Sequence, residues 1–233
     1  MFAPGMLKGH QVAVANRLKF FKSYLRNPNI VGALNPSSRA LAAALCEPYR
    51  QRSKPARVLE VGAGTGAVTR HIGGLLGEQD ELDICEIVSD FADILERDVL
   101  SRRDFASAVA DGRVRLLRSA VQDIPFEDRY DFVISGLPLN AFELRDVRDV
   151  FRVVQRVLKP GGVLSYFEYV GLRRTSRALA VGRRRDRIRL VSAYLSRRIR
   201  DYQFERQTVL WNLLPAHARH MSFDVEDRQG SST

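Results

Sequence analysis

An acid followed by three glycines at alternate positions stands at Glu60-Val61-Gly62-Ala63-Gly64-Thr65-Gly66. The apolar pair Val58-Leu59 leads into it, and a helix-compatible run, Ala67-Val68-Thr69-Arg70-His71-Ile72, leads out. Strand, tight turn and helix are the parts of a nucleotide-binding βα unit. Glycines tolerate positive φ and, lacking Cβ, let the backbone come close to a ligand. A second acid, Glu86, closes the apolar run Leu82-Asp83-Ile84-Cys85-Glu86-Ile87. Its offset from the glycines is close to the spacing of about 20 residues at which an acid meets ribose hydroxyls. The pattern predicts a ribose-bearing cofactor; the alternative is a glycine turn that only packs strand on helix.

Elements that would position these residues follow in alternation, as a doubly wound sheet requires. Helix 67–77 follows the glycine turn, then strand 82–87 and helix 90–110. Strand 114–117 leads into the loop Ser119-Ala120-Val121-Gln122-Asp123-Ile124-Pro125. A fourth strand begins at Tyr130 and exits through Ser135-Gly136-Leu137-Pro138, at the sheet edge where ligands bind. Helix 143–158 stops at Lys159-Pro160-Gly161-Gly162, and strand 163–170 ends in Tyr166-Phe167-Glu168-Tyr169. Runs 204–211 and 218–225 fit a closing antiparallel pair. The expected fold class is α/β, Rossmann-like, with a seven-stranded, mostly parallel sheet flanked by helices.

With 233 residues and 45% hydrophobic content, the chain suits one domain with attachments. Cys46 and Cys85 lie in apolar contexts without a C-x-x-C spacing and read as buried thiols of a reduced compartment. No signal peptide or 18-residue apolar run is present, so the chain reads as neither exported nor membrane-spanning. The formal charge of +10 points to an anionic partner, nucleic acid or an acidic membrane face. Residues 173–200 hold eleven arginines against one acid, Asp186, an excess equal to that net charge. Residues 6–26 place Val14, Leu18, Phe21 and Leu25 on one face of a helix, among Lys8, Arg17, Lys19, Lys22 and Arg26. No Asp or Glu precedes Glu47. A basic amphipathic helix of this kind is an interfacial membrane element or a helix packed on the domain. Asn27-Pro28-Asn29 ends it, and Asn35-Pro36-Ser37-Ser38 caps a second helix over 39–49.

The sequence E-x-G-x-G-x-G resembles motif I of the class I S-adenosylmethionine-dependent methyltransferases, and K-P-G-G before the fifth strand is common among them. A narrower resemblance is to the bacterial phospholipid N-methyltransferases. It rests on Val31-Gly32-Ala33-Leu34-Asn35-Pro36-Ser37-Ser38-Arg39-Ala40-Leu41-Ala42, on Ser135-Gly136-Leu137-Pro138, and on Asn212-Leu213-Leu214-Pro215-Ala216. In the last of these, Leu214 stands where that family has a proline. The resemblance runs from about residue 20 to residue 222.

That resemblance implies S-adenosylmethionine as cofactor, held by Glu60, Gly62, Gly64, Thr65, Gly66 and Glu86, with Val121, Gln122, Ser135 and Gly136 lining the site. Ala120 replaces an acid usual in the adenine loop. It implies methyl transfer to the headgroup amine of phosphatidylethanolamine or a related aminolipid such as an ornithine lipid. Candidates at the reacting amine are Tyr24, Tyr169, Glu168 and His217; Arg39 and Arg206 are candidates for the lipid phosphate. No metal and no nucleic acid are expected. Expected partners are the anionic membrane surface and the lipid, and the expected place is cytoplasmic, peripheral on the inner face of the membrane. Residues 1–35 would be a docking helix and linker, 36–223 the catalytic domain with a basic insertion at about 172–200, and 224–233 a polar tail. An rRNA adenine dimethyltransferase-like enzyme and a non-catalytic membrane-binding protein stay open as alternatives. Against the first, Ser135 stands where base-methylating enzymes carry Asn or Asp.

Overall fold

The computed structural model describes residues 39–170, 183–210 and 215–223. The amphipathic segment 6–26, with Tyr24, and the tail 224–233 lie outside them. Seven strands form one sheet: β1 (Arg57–Val61), β2 (Glu81–Cys85), β3 (Val114–Leu117), β4 (Tyr130–Ser135), β5 (Leu158–Tyr169), β6 (Gln203–Val209) and β7 (Ala216–Ser222). Their spatial order is β3-β2-β1-β4-β5-β7-β6. The first five are parallel, and β7 runs antiparallel between β5 and β6. The helices are α1 (Arg39–Arg50), α2 (Ala67–Gly73), α3 (Ser89–Leu95), α4 (Arg103–Ala110), α5 (Leu144–Val157) and α6 (Arg183–Tyr202).

Strand alternation divides the core in two. Val58, Leu82, Ile84, Phe167, Tyr169 and Ala218 face α1 and α2 in one cluster. Leu59, Val61, Val133, Leu164, Tyr166 and Met221 face α5 and α6 in the other. Glu60 shares the parity of Val58 and so points to the α1–α2 side. Both faces are covered, so β1 reads as a nearly continuous apolar run instead of an alternating one.

Two expectations need correction. The helix expected over 90–110 is broken: α3 runs into a π turn at Glu96–Leu100, Arg102 is extended, and α4 starts afresh. In one straight helix Phe105 would stand roughly 80° round from Leu95; the break lets Leu95, Val99 and Phe105 all be fully buried. The Lys159-Pro160-Gly161-Gly162 stop belongs to β5, whose register slips between Leu158↔Tyr130 and Val163↔Phe132. Gly161 takes φ +74° in the resulting bulge. Boundaries elsewhere differ by a few residues: α2 ends at Gly73, and the closing pair starts earlier, at Gln203 and Ala216.

Below the sheet, Asp80 ties α1 to the turn before β2. Its carboxylate accepts from Tyr49 Oη (2.7 Å), Ala56 N (2.8 Å) and Gly77 N (2.7 Å) and pairs with Arg52. Burial pushes its pKa up, but Arg52 and the N–H donors prevail and hold it below the ordinary aspartate value. Its charged form is therefore favoured by folding, and that stability is present above the ordinary aspartate pKa and lost as pH falls through the lowered one. Asp80→Ala is expected to cost about 3–5 kcal/mol in urea unfolding near neutral pH, and less in acid, where the wild type has lost the same contribution.

Candidate active site

The turn after β1 is built from backbone. Gly62 N donates to Cys85 O at 2.9 Å, and Gly136 N, from the exit of β4, donates to Val61 O at 2.8 Å. Gly62, Gly64 and Gly66 all take left-handed φ, +73°, +57° and +83°. Their surroundings differ. A Cβ on Gly62 would meet Leu137 Cδ2 at 2.5 Å, and one on Gly66 would meet Val99 Cγ2 at 2.7 Å, whereas nothing lies within 4 Å at Gly64. Two of the glycines thus serve close packing, and Gly64 alone of the three opens onto free space.

Two carboxylates flank this turn. Glu86 stands just past β2, and its oxygens accept from Gly64 N (Oε2, 2.8 Å) and Val88 N (Oε1, 2.8 Å). Burial raises its pKa, against the pull of those N–H groups. It clamps the glycine turn, a role the spacing alone did not show. Each oxygen keeps a further lone pair for a ribose hydroxyl. Glu60 is 1% exposed. Burial pushes its pKa to about 8, Thr69 eases the charge, and the neighbouring Glu86 adds to the rise. Among the described residues neither Glu60 Oε2 nor Thr69 Oγ1 has a hydrogen-bond partner of ordinary geometry. An orphaned acid oxygen beside an open glycine cradle fits a cationic, ribose-bearing cofactor.

At the exit of β4, Ser135 is buried and its Oγ accepts from Leu137 N at 3.3 Å, so it braces its own turn. A Cβ on Gly136 would lie 2.5 Å from Gly62 O. The chain then makes a 3-10 turn at Leu139–Ala141. Arg187 of α6 fastens it: Nη1 donates to Ala141 O (2.5 Å) and Phe142 O (3.2 Å), and Nε lies 3.5 Å from Glu143 Oε1. Composition showed Arg187 only as one of eleven arginines in residues 173–200. It is instead a clamp, and only contacts across 45 residues of sequence reveal it.

Val121 and Gln122 form a 3-10 turn with Asp123; Val121 is buried in the α5–α6 core and Gln122 is half-buried. Cys85 Sγ bonds Ser119 O at 3.1 Å and anchors that loop, and burial holds its thiol at about 12. The residues at the end of β5 divide between the two faces of the sheet. Tyr169 packs edge-on against Phe167 on the α1 side (5.2 Å, 75°), and burial pushes its phenol to about 12. At that pKa it is a poor base near neutral pH. Glu168 and His217 are cross-strand partners on the other face. Glu168 Oε2 accepts from Arg219 Nε at 2.7 Å, Arg219 Nη1 donates to Gln203 Oε1 at 2.6 Å, and His217 Nδ1 lies 3.0 Å from Thr208 Oγ1. Arg219 was missed; the alternation that places it beside Glu168 is visible only once the β5–β7 register is known. Arg206 is exposed on the Glu168 face, across from Arg219, while Arg39 is exposed at the head of α1 on the opposite side. The structure does not pair those two arginines.

Residues 58–162 match the family described as "Methyltransferase domain". The chain is 32% identical over 146 residues to an ornithine lipid N-methyltransferase from Singulisphaera acidiphila, covering 63% of this chain and 74% of that protein. It belongs to the class I S-adenosylmethionine-dependent methyltransferases. S-adenosylmethionine is accordingly its cofactor. A ubiquinone/menaquinone biosynthesis C-methyltransferase from Azotobacter vinelandii is 35% identical over 116 residues, and the chain spans 42% of that protein's length. Among solved structures, the fold is shared with the 1,6-didemethyltoxoflavin-N1-methyltransferase of Burkholderia thailandensis, solved with 1,6-didemethyltoxoflavin and S-adenosylhomocysteine. The TM-score is 0.56 at 17% identity, covering 96% of this chain and 92% of that one. Among the described residues no group of His, Cys, Asp and Glu could hold a metal ion, and no helix is long and apolar enough to cross a membrane.

The methyltransferase carries its own test of the glycine cradle. Gly64→Ala meets no neighbour, so the fold should bear only the left-handed penalty of about 1–2 kcal/mol, yet calorimetry should show donor binding reduced at least tenfold. Gly62→Ala should instead lower Tm sharply, because Leu137 must move.

A pH dependence follows from Glu60. The donor's sulfonium favours the carboxylate, so binding should pull the Glu60 pKa down from about 8 and release a proton. Donor affinity should rise with pH up to about 8 and level off above it. Titration calorimetry in buffers of different ionisation enthalpy measures the proton released, and Glu60→Gln should abolish both the release and the slope.

Proposed function

We propose that this methyltransferase acts on the headgroup amine of an aminolipid, phosphatidylethanolamine or an ornithine lipid. The observation that carries the reading is the similarity to an ornithine lipid N-methyltransferase over 146 residues, beyond the span of the family match. The turn after β4 supports it. Enzymes that methylate adenine or glutamine amides usually present an Asn or Asp side chain at the first position of that turn, whereas Ser135 is turned inward onto Leu137 N. An aliphatic amine, once neutral, has its lone pair available and needs it oriented, not made more nucleophilic.

The cofactor, when bound, supplies an electrophilic methyl group on a sulfonium. The chain's residues must hold a neutral amine in line with it. A primary alkylamine resembles Lys, so at pH 7 roughly one molecule in two thousand is neutral, a cost of about 4–5 kcal/mol. Desolvation next to a positive charge lowers that cost, and orientation supplies much of the remaining acceleration. His217, half-buried across from Glu168, is the candidate to receive the proton; Glu168 is held by Arg219 and acts on charge and position. Arg206, exposed beside this pair, and Arg39 are the candidates for the lipid phosphate.

Delivery to the bilayer falls to two basic elements. Arg185, Arg189, Arg197 and Arg200 are exposed on α6, and each Lys or Arg near an anionic leaflet contributes about 1 kcal/mol. Segment 6–26 supplies the apolar stripe of Val14, Leu18, Phe21 and Leu25. The enzyme would then work as a peripheral protein on the cytoplasmic face of the membrane.

Radiolabelled donor offered with aminolipid vesicles, with rRNA and with a demethylated quinone precursor decides the substrate. The label should enter the lipid extract and leave RNA and quinone unlabelled. Label in RNA or quinone with none in lipid would overturn the aminolipid reading.

A further inference from the structure

Native folds leave few buried polar atoms unpaired, and each that remains calls for an explanation. Glu60 Oε2 has one in the cationic cofactor. Another is Asn140 Oδ1, shielded from solvent and, among the described residues, without a hydrogen-bond partner. Asn140 is the middle residue of the 3-10 turn Leu139–Ala141, at the carboxyl end of β4. That turn hangs directly on the cofactor loop, through Gly136 N to Val61 O (2.8 Å) and through Leu137, which lies over Gly62. Arg187 grips the carbonyls of the next two residues after Asn140, Ala141 and Phe142. A half-buried arginine thus fixes a turn whose central side chain leaves its carbonyl oxygen unpaired among the described residues.

We propose that Asn140 Oδ1 accepts a hydrogen bond from the acceptor amine and orients its lone pair towards the methyl group, with Arg187 as the positioning residue for the turn. The proposal rests on the aminolipid reading. In the transfer, the amine nitrogen bonds to the methyl carbon while the carbon–sulfur bond breaks with its electron pair left on sulfur; the surplus proton on nitrogen passes to His217 and on to solvent. A neutral amide suits this task better than an acid. A carboxylate at the same place would stabilise the ammonium form, which has no lone pair to give, and would raise the pH needed for attack. An amide carbonyl binds the neutral amine through one N–H and leaves the other face free.

The test compares wild type, Asn140→Ala and Asn140→Asp on vesicles containing phosphatidylethanolamine or ornithine lipid, with kcat/KM followed against pH. Donor Kd by calorimetry and Tm are measured on the same proteins. Asn140→Ala should lower kcat/KM about tenfold or more, leave donor Kd within about twofold, and leave Tm equal or higher, since it removes an unpaired buried acceptor. Asn140→Asp should move the acid limb of the pH profile to higher pH. If the alanine variant keeps its kcat/KM, or loses activity, donor binding and Tm together, the proposal is overturned and Asn140 is inert or structural. Should the wild type label no aminolipid at all, the substrate reading falls and takes the proposal with it; indifference of Asn140 in an enzyme that does label aminolipid overturns the proposal alone.

Discussion

Two backbones touch where β1 and β4 end. Gly136 packs so closely on the carbonyl of Gly62 that no side chain fits between them, and the N–H of Gly136 closes a hydrogen bond to Val61 O. This is the point at which the strand order turns from β1 outward in both directions, the crevice in which open α/β sheets bind their ligands. Because the contact is glycine on glycine, the cofactor turn and the turn after β4 cannot shift independently. Leu137 covers Gly62, Ser135 braces Leu137, and Arg187 reaches from α6 to pin the carbonyls of Ala141 and Phe142. The glycine turn after β1 and the turn after β4 form one unit.

Charge is distributed around that unit with a clear asymmetry. At and near the amino ends of the parallel strands, carboxylates are matched by cations: Asp80 by Arg52, Asp83 by Arg115, Glu81 by Arg57 and Arg129, and Asp131 by Lys159. At the carboxyl end, Glu60 and Glu86 are buried without an ion-pair partner among the described residues. Isolated buried carboxylates are costly and resist ionising, so a bound cation is the natural complement. The cost is local, and it lies beside the glycine turn after β1.

How much was legible in the sequence depended on range. The glycine turn, Glu86 and the alternation of strands and helices are set by neighbours within a few residues, and period and turn chemistry revealed them. The break in the helix after β2 was invisible because Leu95, Val99 and Phe105 must reach the core together, a tertiary demand that overrides local helix propensity. The β5 terminus reads as one aromatic-acid cluster, yet pleating sends Tyr169 to one face and Glu168 to the other. Arg219 and Arg187 needed register and long-range contact to be noticed at all. In the arginine-rich stretch, composition gave the sign of the charge but not which guanidinium turns inward.

The order of the last two strands also governs how the chain comes off the ribosome. Among the described residues β7 is the last strand in sequence, yet it lies between β5 and β6 and supplies the sheet partner of each. Until residues 216–222 emerge, the edge of β5 is an open row of amide and carbonyl groups, and β6 has no strand to join. Such edges pair readily with other chains, and pairings that wait on distant residues form late. A sheet still lacking residues 216–222 is therefore a vulnerable intermediate, with β5 open and β6 unattached until β7 enters between them.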